Sequence, residues 1–198
     1  MTEAHEYLQG TVERYFKDLS ERRIVPGGGS ASAFTAALGA GLNLMVINYS
    51  INDGDPGGAP RGLLEARSRQ QESLEQLLSL VDEDCAAFRE LMSAISSGRS
   101  AQKEYTAAAA VPMKICRQCH ASMDITAQLT KSANRNLTTD IGCAAYILKA
   151  AFCSARLNVE INLRRIEDRT FVEKAEKALE EMNNDMDGAE KELHGGID

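Results

Sequence analysis

Tryptophan is absent from this 198-residue chain, aromatic residues make up 5% of it, and only 4 prolines occur. With so few large side chains the interior must be filled by small ones, and the sequence supplies 27 alanines. An alanine-built core brings backbones close together, which helices do readily and sheets do less readily. A run of about 18 consecutive apolar residues is also missing, so no transmembrane helix is expected. The start, Met1 to Glu6, has no basic region leading into an apolar stretch, so no signal peptide is expected. Cations are in deficit, 22 Lys and Arg against 29 Asp and Glu, for a net charge of −7. That balance excludes a binder of nucleic-acid backbones, which needs basic stripes to displace counterions, but says little about small anionic ligands. The 5 cysteines (Cys85, Cys116, Cys119, Cys143, Cys153) are an odd number on helical-looking segments and read as free thiols in a reducing cytoplasm. What is present, 43% hydrophobic and 26% charged residues, is the composition of a globular protein and excludes wholesale disorder.

Nearly every long segment carries a helical period. Tyr7, Leu8, Val12, Tyr15, Phe16 and Leu19 predict a first amphipathic helix over 3–22, ended by Pro26 and the glycines after it. A second helix, about 30–49, is so poor in charge that it must be central. Residues 52–60 are a loop on turn chemistry. Helices follow over 61–95, 100–133 with Pro112 as a kink or restart, 138–165, and a charged last one over about 168–193. No strand-like alternation survives beyond a few residues. The expectation is one all-α, bundle-like domain over 1–198.

Three segments carry candidate chemistry. In the first, Gly27-Gly28-Gly29-Ser30 runs into the second helix. Free N–H groups at a helix start suit a carboxylate or phosphate, while the plainer reading makes the glycines a helix terminator and Ser30 an N-cap. No Walker A pattern or dinucleotide fingerprint is present. In the second, Val81-Asp82-Glu83-Asp84-Cys85-Ala86-Ala87-Phe88, Asp84 lies three residues after Val81 and four before Phe88, on or beside the buried stripe. A carboxylate there is desolvated and rises in pKa toward the range a general acid or base needs. Asp82 projects roughly 200° away and is the second candidate; solvated acids on a helix edge are the bland alternative. In the third, a face runs from Asp140 through Ala144, Ile147, Ala151, Asn158 and Asn162 to Arg165. Asn158 and Asn162, one turn apart, can address one partner, either a heterocycle or a neighbouring helix. Asn136, Thr138 or Thr139 is available as the cap of that helix. Cys116-Arg117-Gln118-Cys119-His120 matches a haem-attachment pattern, but lies mid-helix with no export signal. Zinc lacks a second Cys/His pair at ligand spacing, so no metal is expected.

Taken in order, the glycine loop with its Ala/Gly helix, the Val81–Phe88 segment and the stretch Asn136–Asn162 resemble the cyclodeaminase/cyclohydrolase family. Members include the C-terminal part of formiminotransferase-cyclodeaminase and stand-alone methenyltetrahydrofolate cyclohydrolases. The resemblance covers roughly residues 5–170 and includes Thr139-Asp140, where relatives usually read Ser-Asp, and the Asn158-Val159-Glu160-Ile161-Asn162 ending. It implies a helical homodimer, a folate site near the subunit interface, and neither metal nor redox cofactor. By that resemblance Asp84, Asp82 and Asp140 are catalytic candidates. Gly27, Gly28, Gly29, Ser30, Asn136, Thr139, Asn158 and Asn162 are candidates for binding substrate. The activity implied is a cytoplasmic cyclohydrolase converting 5,10-methenyltetrahydrofolate to 10-formyltetrahydrofolate; a cyclodeaminase releasing ammonia is the first alternative, and a non-catalytic folate-binding or adaptor protein the second. Two departures stand out. Asn52-Asp53-Gly54-Asp55 stands where relatives often carry Lys or Tyr, and Gly98-Arg99-Ser100 lacks the Pro-Lys of many members; both departures fall on the charged contacts the resemblance implies for a folate glutamate tail.

Overall fold

The computed structural model describes residues 6–51 and 61–197, so the expected helix start at 3–5 and the loop at 52–60 lie outside the described residues. Within them the chain is all-α, without a strand. Its helices are α1 (Val12–Ser20), α2 (Gly28–Ser50), α3 (Arg61–Ser96), α4 (Gln102–Ser132), α5 (Thr138–Leu163) and α6 (Arg169–Ile197), with a 3-10 turn at Arg135–Leu137 before α5.

α2 is the hub and packs on α3, α4 and α5. It carries no charged side chain. It has the length and apolarity of a membrane span, yet most of it is buried inside the bundle. Ala33, Ala36, Ala37 and Ala40 are buried along it, as the alanine content requires. At Gly39 a Cβ would stand 2.7 Å from the Leu148 side chain, so α2 and α5 touch at backbone distance. Between α2, α3 and α4 lies a buried polar knot: Asn43 Nδ2 donates to Gln70 Oε1 (3.1 Å) and Thr126 Oγ1 (2.9 Å), and Gln70 Nε2 donates to Ser122 Oγ (3.0 Å). Every member is satisfied, so the knot fixes helix register without an unpaired polar group. α6 lays Val172, Ala175, Leu179, Met182 and Met186 on α4 and α5, an i, i+3, i+7 stripe with its charges outward.

The first helix is shorter than its periodicity implies. Residues 6–9 form a turn, and the helix begins only after Thr11, whose Oγ1 caps it by accepting from the Arg14 N–H (3.1 Å). The reason is distant in sequence: the Asp82 carboxylate accepts from the N–H groups of Tyr7 (2.9 Å) and Leu8 (3.2 Å) and holds the segment as a separate turn against α3. Two cap assignments change as well. α2 starts at Gly28 with Gly27 as its N-cap, so Ser30 sits inside the first turn. α5 follows Leu137 as its N-cap with no side-chain cap, so Asn136, Thr138 and Thr139 do not cap it; Asn134 caps the preceding 3-10 turn by accepting from the Asn136 N–H (3.0 Å).

Candidate functional site

A cleft of about 410 Å³ opens at one end of the bundle, where the N-terminus of α2 meets the C-terminal third of α3, the first turns of α4 and the last turns of α5. Gly27, Gly28, Gly29, Asp84, Asn158 and Asn162 all line it. Phe88, Leu91, Met92 and Ile95 on α3, with Ile24, Val25 and Ile161, form its apolar wall. Surface grooves between α5 and α6 (about 630 Å³) and between α3 and α4 (about 660 Å³) are wider. They are shallow, however, and lined by charges that pair with each other, such as Arg156 with Glu160 and Lys114 with Glu83.

Asp84 sits against the start of α2. A Cβ built on Gly29 would lie 2.1 Å from Asp84 Oδ1 and 2.5 Å from Cγ, so only glycine admits the carboxylate there. Burial pushes the Asp84 carboxyl up from 3.8 to about 6, against the Ser30 N–H, whose hydrogen bond favours the charged form. The anion facing the glycine-rich helix start is therefore the protein's own. Ser30 itself is fully buried, and its Oγ pairs with Tyr15 Oη at 3.2 Å. The Tyr15 ring stacks on Phe34 at 5.0 Å, tying α1 to the first turns of α2. Neighbouring Cys85 is buried and its thiol is pushed up to about 11 by that burial, which leaves it inert as a nucleophile.

Across the cleft the two asparagines are oriented by their own helix and by α4. Asn158 Nδ2 donates to the Ser154 carbonyl (2.9 Å), and Gly28 leaves room for the amide, which lies 3.3 Å from where a Cβ would stand. Asn162 Nδ2 donates to the carbonyls of Asn158 (2.8 Å) and Ala108 (3.1 Å). The second of these exists because of a proline. Pro112 lies inside α4, has no N–H, and cannot satisfy the carbonyl four residues earlier, which is Ala108. With both amide protons of Asn162 engaged, its oxygen is what remains for a ligand, and it suits a donor such as a ring N–H or amino group.

Other candidates lie elsewhere. Asp82 is buried behind the cleft with both oxygens on Tyr7 and Leu8, so the structure gives it a structural post rather than the acid/base one. Asp140 starts α5, eighteen residues and about 27 Å of helix before Asn158. Asp140, Asn136 and Thr139 therefore stand at the far end of the bundle from this chain's cleft, and the periodicity that placed Asp140 on one face with Asn158 says nothing about that distance. Cys116 and Cys119 are buried in the core and His120 contacts Asp185 (3.0 Å), so the haem-like motif faces packed side chains. Sequence reading missed the aperture itself. Phe88 (40% exposed), expected on the buried stripe, forms the cleft wall together with Ile95 (44% exposed), and Arg165 lines the cleft although it was given no role.

The fold and the cleft together define an all-helical protein with one desolvated carboxylate facing paired amides across an apolar gap. Residues 11–181 match the formiminotransferase-cyclodeaminase family, and the chain belongs to it. It is similar to the methenyltetrahydrofolate cyclohydrolase of Methylorubrum extorquens, 29% identical over 181 residues that cover 86% of this chain and 87% of that one. It is also 29% identical over 185 residues to the formimidoyltransferase-cyclodeaminase of Rattus norvegicus, of whose length the match spans 33%. Among solved structures, the formiminotetrahydrofolate cyclodeaminase of Thermotoga maritima superposes with a TM-score of 0.89 at 26% identity, over 96% of each chain.

Proposed function

We propose that this chain is a methenyltetrahydrofolate cyclohydrolase whose catalytic acid/base is Asp84. The observation that carries the reading is the Asp84 carboxyl, raised to about 6 at the head of the cleft opposite two oriented amides. Near neutral pH it is mostly ionised and takes a proton from water as the oxygen adds to the cationic carbon bridging N5 and N10. The tetrahedral adduct then collapses: the carbon–N5 bond breaks, Asp84 returns its proton to N5, and the hydroxyl proton leaves to solvent as the formyl C=O forms on N10. One carboxylate thus serves both proton transfers. The oxygens of Asn158 and Asn162 accept from the pterin ring, and the apolar wall packs the aromatic middle of the substrate.

The second reading is formimidoyltetrahydrofolate cyclodeaminase, favoured by the likeness to the Thermotoga maritima structure. In it Asp84 would give its proton to the departing ammonia. Methenyltetrahydrofolate loss above its spontaneous hydrolysis supports the first reading, and ammonia release from formiminotetrahydrofolate the second. Acceleration of neither would leave a folate-binding or adaptor protein. Full turnover by Asp84→Asn would overturn the assignment of Asp84 in either reaction. We further propose a homodimer formed through the outward faces of α2 and α5, where Leu38, Tyr49, Tyr146 and Leu157 are exposed on neighbouring helices. Five free thiols fit a reducing compartment, and we place the enzyme in the cytoplasm.

A further inference from the structure

We infer that Arg165 is the carboxylate receptor of the cleft and selects substrates that carry a glutamyl tail. The inference rests on the folate reading above and adds to it the group that holds the tail. Among the described residues lining the cleft, only Asp84 and Arg165 are charged, and the two stand at opposite ends of it. The wall runs along α3 from Asp84 to Ile95, eleven residues and about 16 Å of helix. Arg165 follows the end of α5, beyond Asn162, and its backbone is pinned to the first turn of α4. Gln102 Nε2 donates to the Arg165 carbonyl (3.0 Å), and Gln102 Oε1 accepts from the Glu167 N–H (3.0 Å). The cleft therefore offers a carboxylate at one end, an apolar middle and a guanidinium at the other.

Among the described residues no side chain is paired with that guanidinium. Among the described residues that line the cleft, the one carboxylate is Asp84, at the opposite end from Arg165. The nearby Asp168 is turned to its own helix, accepting from the Phe171 N–H (3.1 Å). The other anion-receiving feature of the cleft, the N-terminus of α2, is occupied by Asp84. Among the described residues that line the cleft, Arg165 is the one cation a ligand carboxylate can meet. A guanidinium presents the planar fork that matches a carboxylate. Arg165 is exposed, so the contact is screened by salt and contributes a modest factor.

The test compares binding of 5-formyltetrahydrofolate with that of 5-formyltetrahydropteroate, identical but without the glutamate, by titration calorimetry at low and high salt. Wild-type protein should bind the glutamyl form about tenfold more tightly, with the advantage shrinking as salt rises. Arg165→Gln should bring the two affinities together. Arg164→Gln, which removes a neighbouring cation at the same helix end, should keep the preference. A role limited to the α5 terminus would weaken both ligands equally and leave their ratio intact, which overturns the inference. So does a wild-type protein that binds the two ligands equally. Asp84→Asn separates this from the catalytic reading: it should lose turnover while keeping the glutamyl preference. A wild-type protein that binds neither ligand fails the folate reading and the Arg165 assignment together.

Discussion

Asp84 and Gly29 work as a unit, because the carboxylate occupies the volume a Cβ would need. The resulting desolvation sets both the chemistry and its cost. The folded pKa of about 6 lies above the unfolded 3.8, so the folded protein holds this proton more tightly. Stability from this group is complete below the unfolded value and is lost as pH rises through the folded one, to an extent approaching about 3 kcal/mol. Asp84→Asn should therefore melt at a higher temperature than wild type at pH 8, with the gap closing by roughly pH 4, as calorimetry across that range will read. The same variant should lose about a hundredfold or more in turnover, along with the limb of the rate profile near pH 6. Gly29→Ala forces the carboxylate out of its niche, although alanine by itself favours the helix by about 1 kcal/mol. Circular dichroism should show an intact helical protein, and the assay a loss of about a hundredfold. Asp84 was legible in the sequence because its spacing from Val81 and Phe88 already set it against the core. The post of Asp82 was not, since its partners are two N–H groups 75 and 74 residues away.

At the scale of elements, α2 to α6 are legible to within a few residues because their apolar spacing is the very pattern that buries them. α1 is the exception, cut short by a tertiary hydrogen bond to Asp82 that local periodicity cannot contain. Pro112 shows the same limit from the other side. Its place in a helix was readable, but not that the carbonyl it frees orients Asn162 on another helix. Pro112→Ala restores an N–H that can bond the Ala108 carbonyl in competition with Asn162. The expected result is a more stable α4, by an amount on the order of 1–3 kcal/mol, together with a higher KM for the pterin substrate. Raised melting temperature with unchanged KM would show that Asn162 is held by Asn158 alone.

For the whole molecule, the distribution of charge bears on where copies can meet. Acidic side chains crowd α6 and the outer edges of α3, so most surfaces of two copies repel. α2 contributes no charge, and Leu38 (55% exposed) and Tyr49 (71%) stand on its outward side. Beside it, α5 exposes Tyr146 and Leu157 (67%), with Cys143 and Cys153 on the same helix face. A second copy brought up across a two-fold axis would meet this face with its own equivalent and cover both. Leu38→Glu then places two like charges near one axis in an apolar contact, and Leu157→Glu does so from the neighbouring helix. Light scattering should find wild type at about twice 21.5 kDa and each variant at the single-chain mass, with helicity unchanged because neither side chain is part of the core. A wild-type protein at the single-chain mass, or variants that remain dimeric, would show that this apolar face is not where copies join.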